Sequence, residues 1–230
     1  MKAIVFHQHG SLDQVRYDTV PSPQIGPNEV LLQVKAAAYN RLDLWVLAGW
    51  PGLNLKLPHV MGSDGAGVVA ETGANVTGFA VGDRVAVNPT ISCGVCNYCL
   101  SGRDNMCDRF AIFGEHVDGF AAEYTAVPAR NLLHLPDTVA FETAAAASLV
   151  FVTAWHSLIT QGRLQAGESV LVVGAGGGVN TASIQVAKLA GCTVYVVGST
   201  EEKLQKAHDL GADATVLRDI EGGWSRAIYH

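Results

Sequence analysis

Along residues 1–130 the apolar residues fall in short runs broken by glycine and proline. Segments 2–6, 29–37, 67–72, 84–87 and 122–127 are rich in β-branched and apolar side chains, and turn clusters such as Pro21-Ser22-Pro23 and Gly26-Pro27-Asn28 lie between them. Runs of that length with that punctuation predict strands, hence an irregular, partly closed β domain with few helices. One stretch, 93–107, has no apolar period of its own and reads as an excursion that leans on a bound metal for its order.

The rhythm then changes. Segment 141–159 has no Gly or Pro and is rich in Ala and Leu, which predicts a buried helix. A short apolar run, 169–173, leads into glycines, then a helical stretch at 179–190, a strand at 193–197, an amphipathic helix at 201–210 and a strand at 214–217. Strand–helix–strand–helix–strand, with strands too apolar for a solvent face, predicts a parallel sheet of the Rossmann type. The fold class is therefore α/β: a β domain over 1–130, then the N-terminal half of a dinucleotide-binding domain over 131–230.

With 230 residues, 49% of them hydrophobic and 16% charged, the chain can build a real core and is not of a disordered type. A formal net charge of −6 without any basic run argues against nucleic acid or an anionic membrane surface as partner. The N-terminal apolar run is too short for a signal peptide, and the longest apolar stretch, 144–155, falls short of the roughly 20 residues a membrane helix needs. A small-molecule partner and a reducing cytoplasmic setting are expected.

Cys93, Cys96, Cys99 and Cys107 follow a C-x2-C-x2-C-x7-C spacing. Four thiolates so placed suit one tetrahedral zinc ion, which would hold the loop in shape and leave no open position for substrate. A bacterial-type iron–sulfur run needs its fourth cysteine after three residues and followed by proline, whereas Asp108 follows Cys107 here. Disulfides are the third reading, less suited to a chain of this length with Cys192 left over. Cys192 itself reads as a small buried hydrophobe.

Gly174, Gly176, Gly177 and Gly178, with Val179 behind them, sit between a predicted strand and a predicted helix. Such a turn lets a pyrophosphate approach the backbone and the free N–H groups of the helix N-terminus. Gly174 and Gly177 fit G-x-x-G-x-x-G, but the last position is Asn180, whose side chain is expected to crowd the helix against the sheet or approach the cofactor. At the end of the second strand stand Val197-Gly198-Ser199-Thr200, without the Asp or Glu that would bond an NAD ribose. Ser199 leaves room for a 2′-phosphate and Lys203 offers charge, so NADP(H) is favoured over NAD(H).

Taken together, Gly62-Ser63-Asp64-Gly65-Ala66-Gly67, Val81-Gly82-Asp83-Arg84-Val85, the cysteine lobe and Thr153-Ala154-Trp155 ahead of the glycine turn give a chain that resembles the medium-chain dehydrogenase/reductase superfamily. The resemblance implies a GroES-like β domain with a structural-zinc lobe, a Rossmann domain, a homodimer for a full-length form, and Thr153 near the nicotinamide. Zinc alcohol dehydrogenases of that family hold a second, catalytic zinc; the positions matching its ligands are Asn40, Ser63 and Leu149, none of which is a competent ligand. Asp43 and Asp64 stand close by in sequence, but two carboxylates do not make a catalytic zinc site. His59 and His116 read as surface or satisfied histidines. Members lacking the catalytic zinc reduce quinones or activated double bonds, and the resemblance makes Asn40 the hydrogen-bond donor to the developing enolate, with Ser63 or Tyr39 assisting.

A complete Rossmann sheet has six strands, and only the first three are predicted before His230, so a C-terminally truncated chain is expected, with its first strand an exposed apolar edge. The expected function is an NADP(H)-dependent oxidoreductase of quinones or activated C=C bonds with one structural zinc. The alternatives are a zinc alcohol dehydrogenase with atypical ligands and a nucleotide-binding relative without turnover.

Overall fold

The computed structural model describes residues 1–220 and 223–229; His230 lies outside the described residues. The chain forms two compact units, Met1–Leu149 and Val150–His230. In chain order the elements of the first are β1 (Lys2–Phe6), β2 (Val15–Thr19), β3 (Glu29–Ala38), α1 (Arg41–Ala48), β4 (His59–Val60), β5 (Asp64–Thr72), β6 (Arg84–Val87), β7 (Thr90–Ile91), α2 (Asn97–Leu100), β8 (Ala111–Ile112), β9 (Tyr124–Pro128) and β10 (Leu132–His134). The boundary falls inside α3 (Phe141–Trp155), and β11 (Ser169–Val173), α4 (Gly178–Leu189), β12 (Thr193–Gly198), α5 (Glu201–Asp209), β13 (Ala214–Leu217) and α6 (Trp224–Tyr229) follow.

The first unit is built on a five-stranded sheet ordered β10-β6-β5-β3-β9, with a three-stranded sheet β2-β1-β4 beside it. Alternation decides which side chains enter the core. Val30 and Leu32 of β3, Val85 and Val87 of β6, and Val127 of β9 are buried and pack with Val69, Phe113 and Phe120. β3 and β5 run antiparallel from Val30↔Thr72 to Ala38↔Asp64, with register shifts on the way. This pairing carries the ends of two core strands, Ala38 and Asp64, to the same edge, where the candidate chemistry lies.

The split after Leu149 comes later than the boundary at 130/131 expected from the sequence, and local contacts explain it. β10 pairs with β6, the Arg84 guanidinium donates to the Val139 carbonyl at 2.6 Å and lies 4.0 Å over the Phe141 ring, and the Leu149 N–H is held by Asp64. Residues 131–149 thus belong to the first unit by contact.

A helix was not expected at α1. Its signals are local: the Asp43 carboxylate reaches back to the Asn40 backbone N–H at 2.6 Å, and Gly49 ends the helix at φ 76°. Eight residues are too few for apolar periodicity to announce them, so only the caps carry the information.

In the second unit β11, β12 and β13 form a parallel sheet, in register from Ser169↔Thr193 and from Tyr195↔Ala214. Val170, Val172, Val194 and Val196 pack with Ile184 and Ala187 of α4 and Ala207 of α5. Cys192 is buried in this cluster, its Sγ 3.3 Å from the Gln165 carbonyl oxygen, a core role. β11 is an edge strand with Leu171 and Val173 exposed. α3 continues through π-helical turns to Gln161, and this 21-residue span is long and apolar enough to cross a membrane by length and composition. A core helix passes the same test when it is mostly buried, but only 17% of this window is. The buried helix expected at 141–159 thus forms as a helix with most of its surface accessible, anchored by Ala154 against Ala182 and Val186 of α4.

Gly67 fixes the closest β3–β5 approach, since a Cβ there would run into the Gln33 carbonyl oxygen. Gly67→Ala is expected to destabilise the first unit by about 1–3 kcal/mol through forced backbone separation, read as a lower urea midpoint with unchanged slope.

Candidate functional site

The cysteine lobe leaves the first unit between β7 and β8, which pair across its base. Gly94 and Gly102, at φ 74° and 71°, let the chain reverse where a side chain would be disfavoured. The single turn of α2 begins after Cys96 and presents Cys99, and a 3₁₀ turn over Asp104–Met106 leads to Cys107. The four Sγ atoms lie within 4.8 Å of one another. Cys93 to Cys99 is 3.8 Å and Cys96 to Cys99 is 3.5 Å. Zinc–sulfur bonds of about 2.3 Å at tetrahedral angles put sulfurs about 3.8 Å apart, so the set fits zinc.

The charges fit too. The Val95 N–H, with that of Cys96, holds the Cys93 thiol down at about 6. At Cys107 the Cys93 N–H favours the thiolate, but burial and the crowding Cys93 and Cys99 sulfurs push the thiol up to about 11. Four thiolates repel one another unless a cation is shared among them, and a dication removes that conflict. Zinc here would supply order to a lobe with little core. Among the described residues this is the only group of three or more His, Cys, Asp or Glu placed to hold a metal.

A second polar cluster forms at the shared edge of β3 and β5. Asn40, two residues past the end of β3 and the cap of α1, donates its side-chain amide to Asp64 Oδ2 at 2.8 Å. The other Asp64 oxygen accepts the Leu149 backbone N–H at 2.8 Å. Asp43 accepts the Asn40 backbone N–H through one oxygen and the Gly62 N–H, at 3.0 Å, through the other. Asp43, Ser63 and Asp64 are all buried. Desolvation raises both carboxyls, Asp64 to about 6, against the pull of the Asn40 and Leu149 donors. Burial, with the Asp43 carboxylate, also raises the Tyr39 phenol. Asn40 lines a largely apolar cavity of about 430 Å³ together with Ile4, Leu12, Tyr39, Leu44 and Met61. Ser63 is fully buried and its Oγ has no hydrogen-bond partner. Larger hollows of about 830 and 700 Å³ lie elsewhere in this unit, away from Asn40.

The two histidines singled out from the sequence are engaged. His59 is buried with Nε2 3.1 Å from the Gly114 carbonyl oxygen, and desolvation lowers its pKa. His116 Nδ1 accepts the Ile112 N–H at 3.2 Å.

In the second unit the glycine turn joins β11 to α4. Gly174 and Gly176 have φ of 112° and 87°, and the Gly174 N–H is bonded to the Val197 carbonyl at 2.8 Å. Gly177 caps α4, Gly178 opens it where a Cβ would press on Val150, and Val179 is exposed. Asn180 does not crowd the helix: its amide turns back to the Gly174 carbonyl at 2.6 Å and the Val173 carbonyl at 3.2 Å. Ser199 follows β12 and accepts from Lys203 Nζ at 3.2 Å, while the Lys203 stem runs beside Gly176. Thr153 is exposed on α3. The sequence singles out Asn40 and treats Asp64 only as a neighbour unfit to hold zinc, not as the acceptor of the Asn40 amide. The Asn40-x-x-Asp43 capping pattern was the available signal for the local geometry, whereas nothing in the sequence marks the Leu149 N–H.

The chain is similar to known proteins in sequence and fold. The family described as alcohol dehydrogenase GroES-like domain matches residues 26–137, and the family described as zinc-binding dehydrogenase matches 178–228. An alcohol dehydrogenase of Geobacillus stearothermophilus is 39% identical over 218 residues, 94% of this chain and 63% of its own length. An acryloyl-coenzyme A reductase of Sulfurisphaera tokodaii is 35% identical over 203 residues, 88% of this chain and 60% of its own. A crystal structure of an NAD-dependent alcohol dehydrogenase superposes with TM-score 0.95 at 44% identity, covering 99% of this chain and 66% of that one. The chain thus spans less than two thirds of the length of these relatives.

Metal analysis of purified protein is expected to give about one zinc per chain, and Cys99→Ser or Cys107→Ser to lose it along with protease resistance of the lobe. Asp64 gives a pH prediction. Its carboxyl ionises near 3.8 ordinarily and at about 6 in the fold, so the folded state holds the extra proton between those values. Raising the pH from about 4 to about 6 should therefore destabilise the parent relative to Asp64→Asn, by up to about 3 kcal/mol, with no further change above it. Denaturant titrations across that window measure the gap; a flat gap would contradict the assigned shift.

Proposed function

Because the chain belongs to the medium-chain dehydrogenase/reductase superfamily, we propose that it is an NADP(H)-dependent oxidoreductase that reduces activated C=C bonds or quinones, with zinc confined to the four-cysteine lobe. The observation that carries this reading is the Asn40 amide bonded to Asp64 where the zinc-dependent relatives place a metal ligand. An amide, a buried hydroxyl at Ser63 and an aliphatic side chain at Leu149 offer no soft or imidazole donor set for a catalytic zinc. Without a Lewis acid, a simple ketone is poorly activated, whereas a conjugated acceptor needs only orientation and hydrogen bonds at the oxygen that gains charge.

When bound, the nicotinamide supplies the hydride. The apolar walls Ile4, Leu12, Leu44 and Met61 hold the acceptor and exclude water. Asn40 donates an N–H to the acceptor oxygen, and Tyr39, kept protonated, is a second donor at the rim. In the second unit, the glycine turn and the start of α4 receive the pyrophosphate, with Ser199 and Lys203 placed for a 2′-phosphate. The acryloyl-coenzyme A reductase relative is named for a C=C acceptor of this kind.

A zinc-dependent alcohol dehydrogenase with atypical ligands is the second reading, favoured by the names of the other relatives. The deciding experiment pairs metal content with a turnover screen of enones, quinones and alcohols using NADPH and NADH. The proposal expects one zinc, NADPH oxidation by a conjugated acceptor, and a KM for NADPH raised about tenfold by Lys203→Ala with NADH little changed. Two zincs per chain with alcohol oxidation by NAD would overturn it; binding of NADPH without oxidation by any acceptor would point to a non-catalytic relative.

A further inference from the structure

Asp64 is a buried carboxylate with both oxygens occupied, yet hydride transfer to an acceptor held by Asn40 makes no direct use of it. Its partners are telling. One oxygen takes the Asn40 amide and the other the Leu149 N–H, each at 2.8 Å, so one side chain joins the end of β3, the start of β5 and helix α3. We propose that Asp64 is the positioning residue for Asn40, fixing the amide so that its NH₂ end, and never its carbonyl end, faces the acceptor cavity. This rests on the reading of Asn40 as the donor to the reduced acceptor.

The argument is one of hydrogen-bond polarity. A primary amide is nearly symmetric in shape, and a half-turn about its last torsion exchanges a donor for an acceptor. Presenting the carbonyl to a developing enolate would repel it. An ionised carboxylate accepts only, so it can bond only the NH₂ end of Asn40, and the amide has two N–H hydrogens. One is spent on Asp64 Oδ2 and the other is left for the acceptor. The Leu149 N–H occupies Oδ1 and keeps the carboxylate from rotating. From the other side Asp43 pins the Asn40 backbone N–H at 2.6 Å, so backbone and side chain are fixed by separate carboxylates. The cost of burying Asp64 is only partly offset by the two donors, and what the arrangement secures is orientation.

The test is a polarity swap, read in the intact chain with ¹⁵N labelling. In the parent, the two Asn40 side-chain amide protons should be well separated and one slow to exchange, with the Leu149 amide protected. Asp64→Asn should collapse that separation and release Leu149, and kcat for an enone should fall about 100-fold with KM changed less than threefold. The double variant Asn40→Asp/Asp64→Asn restores a carboxylate–amide pair with its direction reversed. It should recover the melting temperature and Leu149 protection but not kcat, because position 40 no longer carries an N–H donor. Recovery of kcat together with stability would overturn the proposal, since a merely structural pair works in either direction. Unchanged Asn40 and Leu149 signals in Asp64→Asn would overturn it as well. If the parent itself turns over no acceptor, the functional reading fails separately, and the amide signals still decide whether Asp64 orients Asn40.

Discussion

A carboxylate taken out of water must be given hydrogen-bond donors, and in this protein that requirement organises the site. Asp64 sits at the start of a core strand whose first four residues are all buried, out of reach of solvent. The donors come from chain segments far apart in sequence, the cap of α1 and the third turn of α3 at Leu149 being drawn to it rather than to each other. Asp43 repeats the pattern with the Asn40 and Gly62 N–H groups. The β3–β5 pairing can end in polar chemistry because these bonds leave little of it unsatisfied, the Ser63 hydroxyl being the exception.

How much of this was legible in the sequence depended on range. β3, β6 and β12 announce themselves because each alternates or runs apolar over its own length, and the glycine turn because its conformation demands glycine at 174 and 176. The cysteine lobe was legible because metal geometry imposes a spacing on the chain. α1 was overlooked, being short and marked only by its caps. The Asp64 bond to Leu149 spans 85 residues and uses a backbone donor that every residue but proline carries, so no residue type could have signalled it.

The two candidate centres also differ in what they ask of their surroundings. The cysteine lobe concentrates like charges and is satisfied by a cation from outside the chain. The Asn40 cluster is satisfied from within, by N–H groups already present. The first therefore ties its order to metal supply, while the second carries its order in the fold. The function proposed above uses that division, with metal and acceptor chemistry assigned to separate places.

Asn180 adds a second constraint to the glycine turn. Its amide fills the space above Gly174, where a Cβ would stand 2.6 Å from Asn180 Nδ2, and it bonds the carbonyls of Val173 and Gly174. Position 174 thus has two independent reasons to remain glycine, its left-handed backbone and its neighbour's amide. Shortening Asn180 would remove only the second of these, so Gly174 stays the fixed point of the turn and Asn180 the part of it that can vary.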